Sequence, residues 1–122
     1  MNWLAVFIGG GIGSLSRFGI SVILLKYFKT NLPYATLLSN FLACLILVFA
    51  LNYFNSNENT TKWLKPLIII GFCGGFSTFS TFSLETFELL KNNAAHWAFI
   101  NIGISLIACI GIIYLLYKSP AI

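Results

Sequence analysis

The chain has 122 residues, of which 58% are hydrophobic and only 8% charged, with a formal net charge of +4. With a mean hydropathy of +0.89 it lacks the charged shell of a soluble domain, so its apolar surface faces lipid. The basic residues are scattered singly or in pairs over separate loops and form no stripe, which argues against nucleic acid as a partner.

A membrane-crossing helix needs about 20 predominantly apolar residues. Four stretches qualify, 3–25, 35–54, 66–90 and 97–117, and predict an all-α membrane protein with a single four-helix transmembrane domain over 1–122. The connections, 26–34, 55–65 and 91–96, are short and rich in Lys, Asn or Pro, as chain leaving the bilayer should be. Trp3, Tyr27, Tyr34, Tyr53, Trp63, Trp97, Tyr114 and Tyr117 fall near the expected interfaces, where amphipathic rings settle. No basic residue precedes the first apolar run and no small-residue cleavage site follows it, so it is expected to remain as a spanning helix and not to act as a secretory signal.

The first span carries Gly9, Gly10, Gly11 and Gly13, then Ser14, Ser16 and Arg17. In lipid, helices associate through small residues that let backbones approach, so the glycines predict a close helix contact. A phosphate-cradling loop is excluded because no strand precedes them and no Lys-Ser/Thr pair follows. A cation within a span costs about 2.5–3.5 kcal/mol on insertion scales, which marks Arg17 for a partner or a pathway. In the second span Thr36, Ser39 and Asn40 occupy the first turns, and Thr36 and Asn40 share a face. An amide there can donate to an anion or to a neighbouring helix.

The third span, GFCGGFSTFSTFSLETFELL over 71–90, is the most informative. Gly71, Gly74 and Gly75 weaken the helix, and Ser77, Thr78, Ser80, Thr81 and Ser83 place hydroxyls at mid-membrane depth. This predicts a broken helix, whose exposed carbonyls are tolerated only where protein, water or an ion satisfies them. Phe79 and Phe82 project together beside these hydroxyls. Their positive ring edges can hold a small anion without a full charge that would trap it. Glu85 and Glu88 follow near the end of the span, Glu88 as an interfacial residue.

In the fourth span Asn101 and Ser105 share a face, as do Ser105 and Cys109. Cys44, Cys73 and Cys109 lie inside apolar segments and read as inert small hydrophobes with no disulfide or zinc spacing. His96 reads as interfacial beside Trp97. No nucleophile-base set, catalytic carboxylate pair or metal-ligand cluster is legible, so no enzyme is expected.

Orientation follows the Lys/Arg excess in short loops. Lys62, Lys65 and Lys118 fall on one side and Lys26, Lys29 and Lys91 on the other, an even count. A chain without an orientation signal can insert both ways, and opposed copies can pair about an axis in the membrane plane; this predicts an antiparallel dimer.

Taken together, GGGIGSLSRF (9–18), ATLLSN (35–40), GFCGGFSTFSTFSLE (71–85) and the Asn101 and Ser105 spacing resemble the Fluc family of fluoride channels, also called CrcB proteins, over nearly the whole chain. The resemblance implies an antiparallel, dual-topology homodimer in the cell (plasma or inner) membrane with two fluoride pathways. It implies passive export of fluoride from the cytoplasm, which reduces fluoride toxicity. It assigns Asn40 as a donor to fluoride, Phe79 and Phe82 as the phenyl pair, Ser80, Thr81 and Ser83 as a polar track, and Ser105 as a lining residue of the fourth helix. It further implies a structural Na+ at the dimer centre, not transported, ligated by the backbone carbonyls of Gly74 and Ser77. Arg17 takes a structural or vestibule role and Glu85 matches an acidic position after the motif. Ala35 and Ala43 stand where the family often has glycine, and Ser77 replaces the commoner threonine. A proton-coupled multidrug exporter of similar size would need a membrane-embedded acid in its first helix, and this one has Arg17 instead.

Overall fold

The structure, a computed structural model, describes residues 2–30, 32–60 and 62–118. Positions 31 and 61 of the connecting stretches lie outside the described residues, as do 119–122 at the end of the expected domain. The described chain is helical, with no strand: α1 (Asn2–Tyr27), α2 (Tyr34–Ser56), a π-helical segment (Pro66–Phe72) that runs into α3 (Cys73–Phe76), then α4 (Phe79–Lys91) and α5 (Ala95–Leu116). Four helical stretches, Asn2–Tyr27, Tyr34–Ser56, Pro66–Lys91 and Ala95–Leu116, are long and apolar enough to cross a membrane, and each lies within a few residues of its expected bounds.

Local chemistry sets the ends. Pro33 precedes α2, and Pro66 opens the third span at a helix start, where its missing N–H leaves nothing unpaired. In the π-helical segment the ladder is wound wide, with the Cys73 N–H donating to the Ile68 carbonyl. Helical geometry then stops. Ser77 (φ −82°, ψ 158°) and Thr78 (φ −153°, ψ 120°) are extended, and the helix resumes at Phe79. Between α4 and α5 the chain reverses through Asn93 at φ 59°. This is a left-handed conformation that asparagine tolerates, and it lets the Ala94 N–H reach the Leu89 carbonyl at 2.8 Å.

Packing relies on small groups. Ala5, Gly9 and Gly13 are the buried residues of α1, and Ser39 and Ala43 lie in the buried face of α2. Large side chains such as Trp3, Phe7, Phe18 and Ile107 are exposed where lipid covers them, and so are the interfacial Tyr27, Tyr53, Trp97 and Tyr114. The first half of the third span lies directly against α1. A Cβ on Gly13 would sit 2.3 Å from the Phe72 carbonyl oxygen and one on Gly75 2.4 Å from that of Gly10, so backbone touches backbone. Gly9 and Gly71, one turn earlier on each helix of this contact, are crowded by the Leu67 and Val6 carbonyl oxygens respectively.

Gly13→Ala is therefore expected to force the two helices apart and lower stability by about 1–3 kcal/mol, the usual cost of overpacking. Gly11→Ala, with nothing within 4 Å of its added methyl, is expected to leave thermal unfolding in detergent unchanged or slightly improved.

Candidate functional site

The non-helical pair Ser77–Thr78 is held by one side chain from α2. Asn40 accepts from the Thr78 N–H through Oδ1 at 2.7 Å and donates from Nδ2 to the Thr78 carbonyl at 3.3 Å. The amide thus replaces the helical partners that the extended residue has lost, and it keeps one Nδ2 hydrogen to spare. The Thr78 hydroxyl caps α4, accepting from the Thr81 N–H at 3.2 Å and lying 3.2 Å from the hydroxyls of both Thr81 and Ser80.

Beside this clamp lies a cavity of about 220 Å³ lined by Asn40, Cys44, Ser77, Thr78, Phe79, Phe82, Ser105, Leu106 and Cys109. The Phe79 and Phe82 rings stand 5.7 Å apart, inclined by 40°. The cavity brings together Asn40, Phe79, Phe82 and Ser105 from three helices. Ser80, Thr81 and Ser83 do not line it. Ser80 and Ser83 are exposed on α4, and Ser83 donates back to the Phe79 carbonyl at 2.9 Å. Phe79 is 77% exposed. A larger hollow of about 570 Å³ is lined by residues such as Leu24, Phe28, Leu37 and Phe41, with Thr30 and Tyr34 as its polar side chains.

The carbonyls of Gly74 and Ser77 belong to the same interruption. Continued helix would aim the Thr78 N–H at the Gly74 carbonyl, but that N–H is committed to Asn40. The Thr81 N–H, which would reach the Ser77 carbonyl, is committed to the Thr78 hydroxyl. Two neutral oxygens thus lose their helical donors, and a methyl group on Gly74 would meet nothing within 4 Å. Hard-cation chemistry calls for such a donor set. Arg17 reaches the adjoining carbonyl, its Nε donating to Gly75 at 3.2 Å with the Ser14 hydroxyl at 3.5 Å. Glu85 lies at a separate hollow that includes Ser21, Phe28 and Tyr34. Its Oε1 accepts from the Thr36 hydroxyl at 2.8 Å, while Oε2 is buried without a partner.

Behind the phenyl pair runs a polar ladder. Ser105 donates to Asn101 Oδ1 at 3.5 Å, Asn101 Nδ2 donates to the Thr86 hydroxyl at 3.1 Å, and that hydroxyl donates to the Phe82 carbonyl at 2.7 Å. The ladder ties α5 to the turn of α4 that carries Phe82. Thr86→Val keeps the shape and strands the Asn101 amide; the expected loss is about 1–2 kcal/mol in detergent stability. Sequence reasoning singled out neither Thr86 nor the capping role of Thr78. A threonine immediately before a resumed helix was the available signal for the second.

Comparison with known proteins gives the context of this geometry. The family described as "CrcB-like protein, Camphor Resistance (CrcB)" matches residues 4–117. A protein of Flavobacterium psychrophilum named "Fluoride-specific ion channel FluC" is 37% identical over 100 residues, 82% of this chain and 81% of that protein. Proteins of the same name from Enterobacter sp. (strain 638) and Salmonella arizonae are 39% and 40% identical over 104 residues, each covering 85% of this chain and 81% of the relative. With four membrane-crossing stretches and relatives that are channels, the chain is a multi-pass membrane protein and not an enzyme. It belongs to the CrcB family.

Proposed function

We propose that the chain conducts fluoride passively and selectively out of the cytoplasm. The observation that carries the reading is the cavity whose wall is shared by Asn40, Ser77, Thr78, Phe79, Phe82 and Ser105. Its lining includes no Lys or Arg. A small anion entering it exchanges its water shell for N–H, O–H and ring-edge contacts, each weak enough to leave again. The names of the relatives agree with this choice of ion. Fluoride that entered as the neutral acid ionises in the cytoplasm, and an interior-negative potential drives it outward without a pump.

The working unit is an antiparallel pair of copies. Phe79, Ser80 and Ser83 form an exposed aromatic and hydroxyl face on α4. A second copy covers this face while completing the polar track with Thr81. The even lysine count permits that opposed insertion. The interruption at Ser77–Thr78 is read as a functional break of the third helix. The carbonyls of Gly74 and Ser77 would hold a Na+ at the dimer centre, where the ion supplies a fixed charge that joins the two broken spans and is not transported. Arg17 braces the adjoining Gly75 carbonyl, and the Glu85–Thr36 pair ties α4 to α2.

The test is efflux from liposomes containing the purified chain alone. Rapid loss of fluoride with little loss of chloride is the expected result. If folded protein releases neither ion, the chain is not a self-sufficient channel and the proposal fails.

A further inference from the structure

Two cysteines stand in the wall of the same cavity. Cys44 of α2 and Cys109 of α5 line it together with Asn40, Phe82 and Ser105. The two residues thus open on one cavity from two helices, α2 and α5, that pack against each other. None of the three is in a disulfide, and Cys44 and Cys109 are partly open while Cys73 is buried. The sequence alone gave these residues no role, since they lie on three different spans.

Two thiols in the wall of one cavity are candidate soft-metal donors. The neighbourhood sets the coordination number: among the described residues no group of three or more His, Cys, Asp or Glu gathers around any point. A four-coordinate ion such as Zn2+ therefore lacks its ligands. Soft cations of the Cu+ and Ag+ class accept thiolate sulfur and are content with two ligands.

We propose that Cys44 and Cys109 form a two-coordinate thiolate site for a soft monovalent cation, and that its occupation shuts the cavity to anions. Binding replaces two S–H bonds by two S–metal bonds and releases two protons to the cavity, with no change of oxidation state. Two neutral thiols thereby become a unit of net charge −1. The metal narrows the passage between α2 and α5, and the added negative charge repels an anion at close range. The binding half stands on the shared cavity wall of Cys44 and Cys109, whereas the closing half rests on the conduction reading above.

Silver(I) is the probe, as a redox-inert stand-in for Cu+, in nitrate buffer so that no silver chloride precipitates. Titration of the purified chain is expected to raise a thiolate-to-metal absorption band that saturates at a single silver per chain. The band is expected to disappear in Cys44→Ser and in Cys109→Ser and to survive in Cys73→Ser. In liposomes, silver is expected to slow fluoride efflux of the wild-type chain at least tenfold, with recovery on adding a thiol chelator. A wild-type chain without the band, or a band that persists when both cysteines are serine, overturns the site. A saturated band with undiminished efflux overturns the closure. A chain that binds silver but never conducts fluoride keeps the site and removes the conduction reading instead.

Discussion

Asn40→Asp is expected to abolish fluoride efflux, with a loss of at least about 100-fold, while leaving the protein folded. The replacement is isosteric, and its carboxylate still accepts from the Thr78 N–H, the shorter bond of the clamp at 2.7 Å. What disappears is the N–H pair. One of those hydrogens serves the Thr78 carbonyl and the other is the free donor in the cavity wall. If the new group is ionised, a negative charge about 4 Å from the anion opposes it by roughly 4 kcal/mol at an effective dielectric constant of 20, about a thousandfold in occupancy. If it is protonated, its single O–H is spent on the Thr78 carbonyl and the free donor is still gone. Liposome efflux with size-exclusion chromatography of the same preparation decides the matter. Wild-type efflux in a folded Asn40→Asp protein would mean that this amide only braces the interruption.

Phe82→Ile is the second large effect. Isoleucine keeps much of the apolar volume, and the backbone carbonyl that accepts from Thr86 at 2.7 Å is untouched, so stability should fall by less than about 1.5 kcal/mol. The ring edge is lost, and with it one of the contacts that replace water around the anion. An interaction of about 1.5–3 kcal/mol with a charged partner corresponds to a loss of roughly ten- to a hundredfold in rate. Phe87, on the same helix but 59% exposed and outside the cavity lining, supplies the comparison: Phe87→Ile should conduct normally. Equal losses in the two variants would assign the effect to packing and remove the ring edge from the selectivity argument.

The cavity also defines how its residues divide their work. Asn40 and Thr78 spend most of their hydrogen-bonding capacity holding backbone in place, and only what is left over faces the open space. Rigid placement of weak donors suits conduction, because a donor that had to reorganise around each ion would bind it too long. Glu85 sits apart from this set, against Thr36 in a different hollow.

The sequence by itself determined the four spans, because twenty-odd apolar residues in a row have no other stable solvent than lipid and the polar breaks between them mark where the chain leaves it. It also determined the close approach of α1, since four glycines in five positions are otherwise a poor helix. The partner of that approach could not be read there. Only the tertiary structure placed Gly9 and Gly13 against the backbone of Leu67, Phe72 and Phe76, and Gly71 and Gly75 against that of Val6, Gly9 and Gly10, because which glycine face meets which is a matter of helix packing and not of local propensity. The same holds for the cavity. Composition located Asn40, Phe79, Phe82 and Ser105 along the chain, yet Asn40 as the clamp on Thr78, Thr86 as the strut behind Phe82, and Cys44 and Cys109 in one cavity wall emerge only when three spans are brought together. Residues on different spans meet through the packing of whole helices, and no periodicity within one helix encodes that meeting.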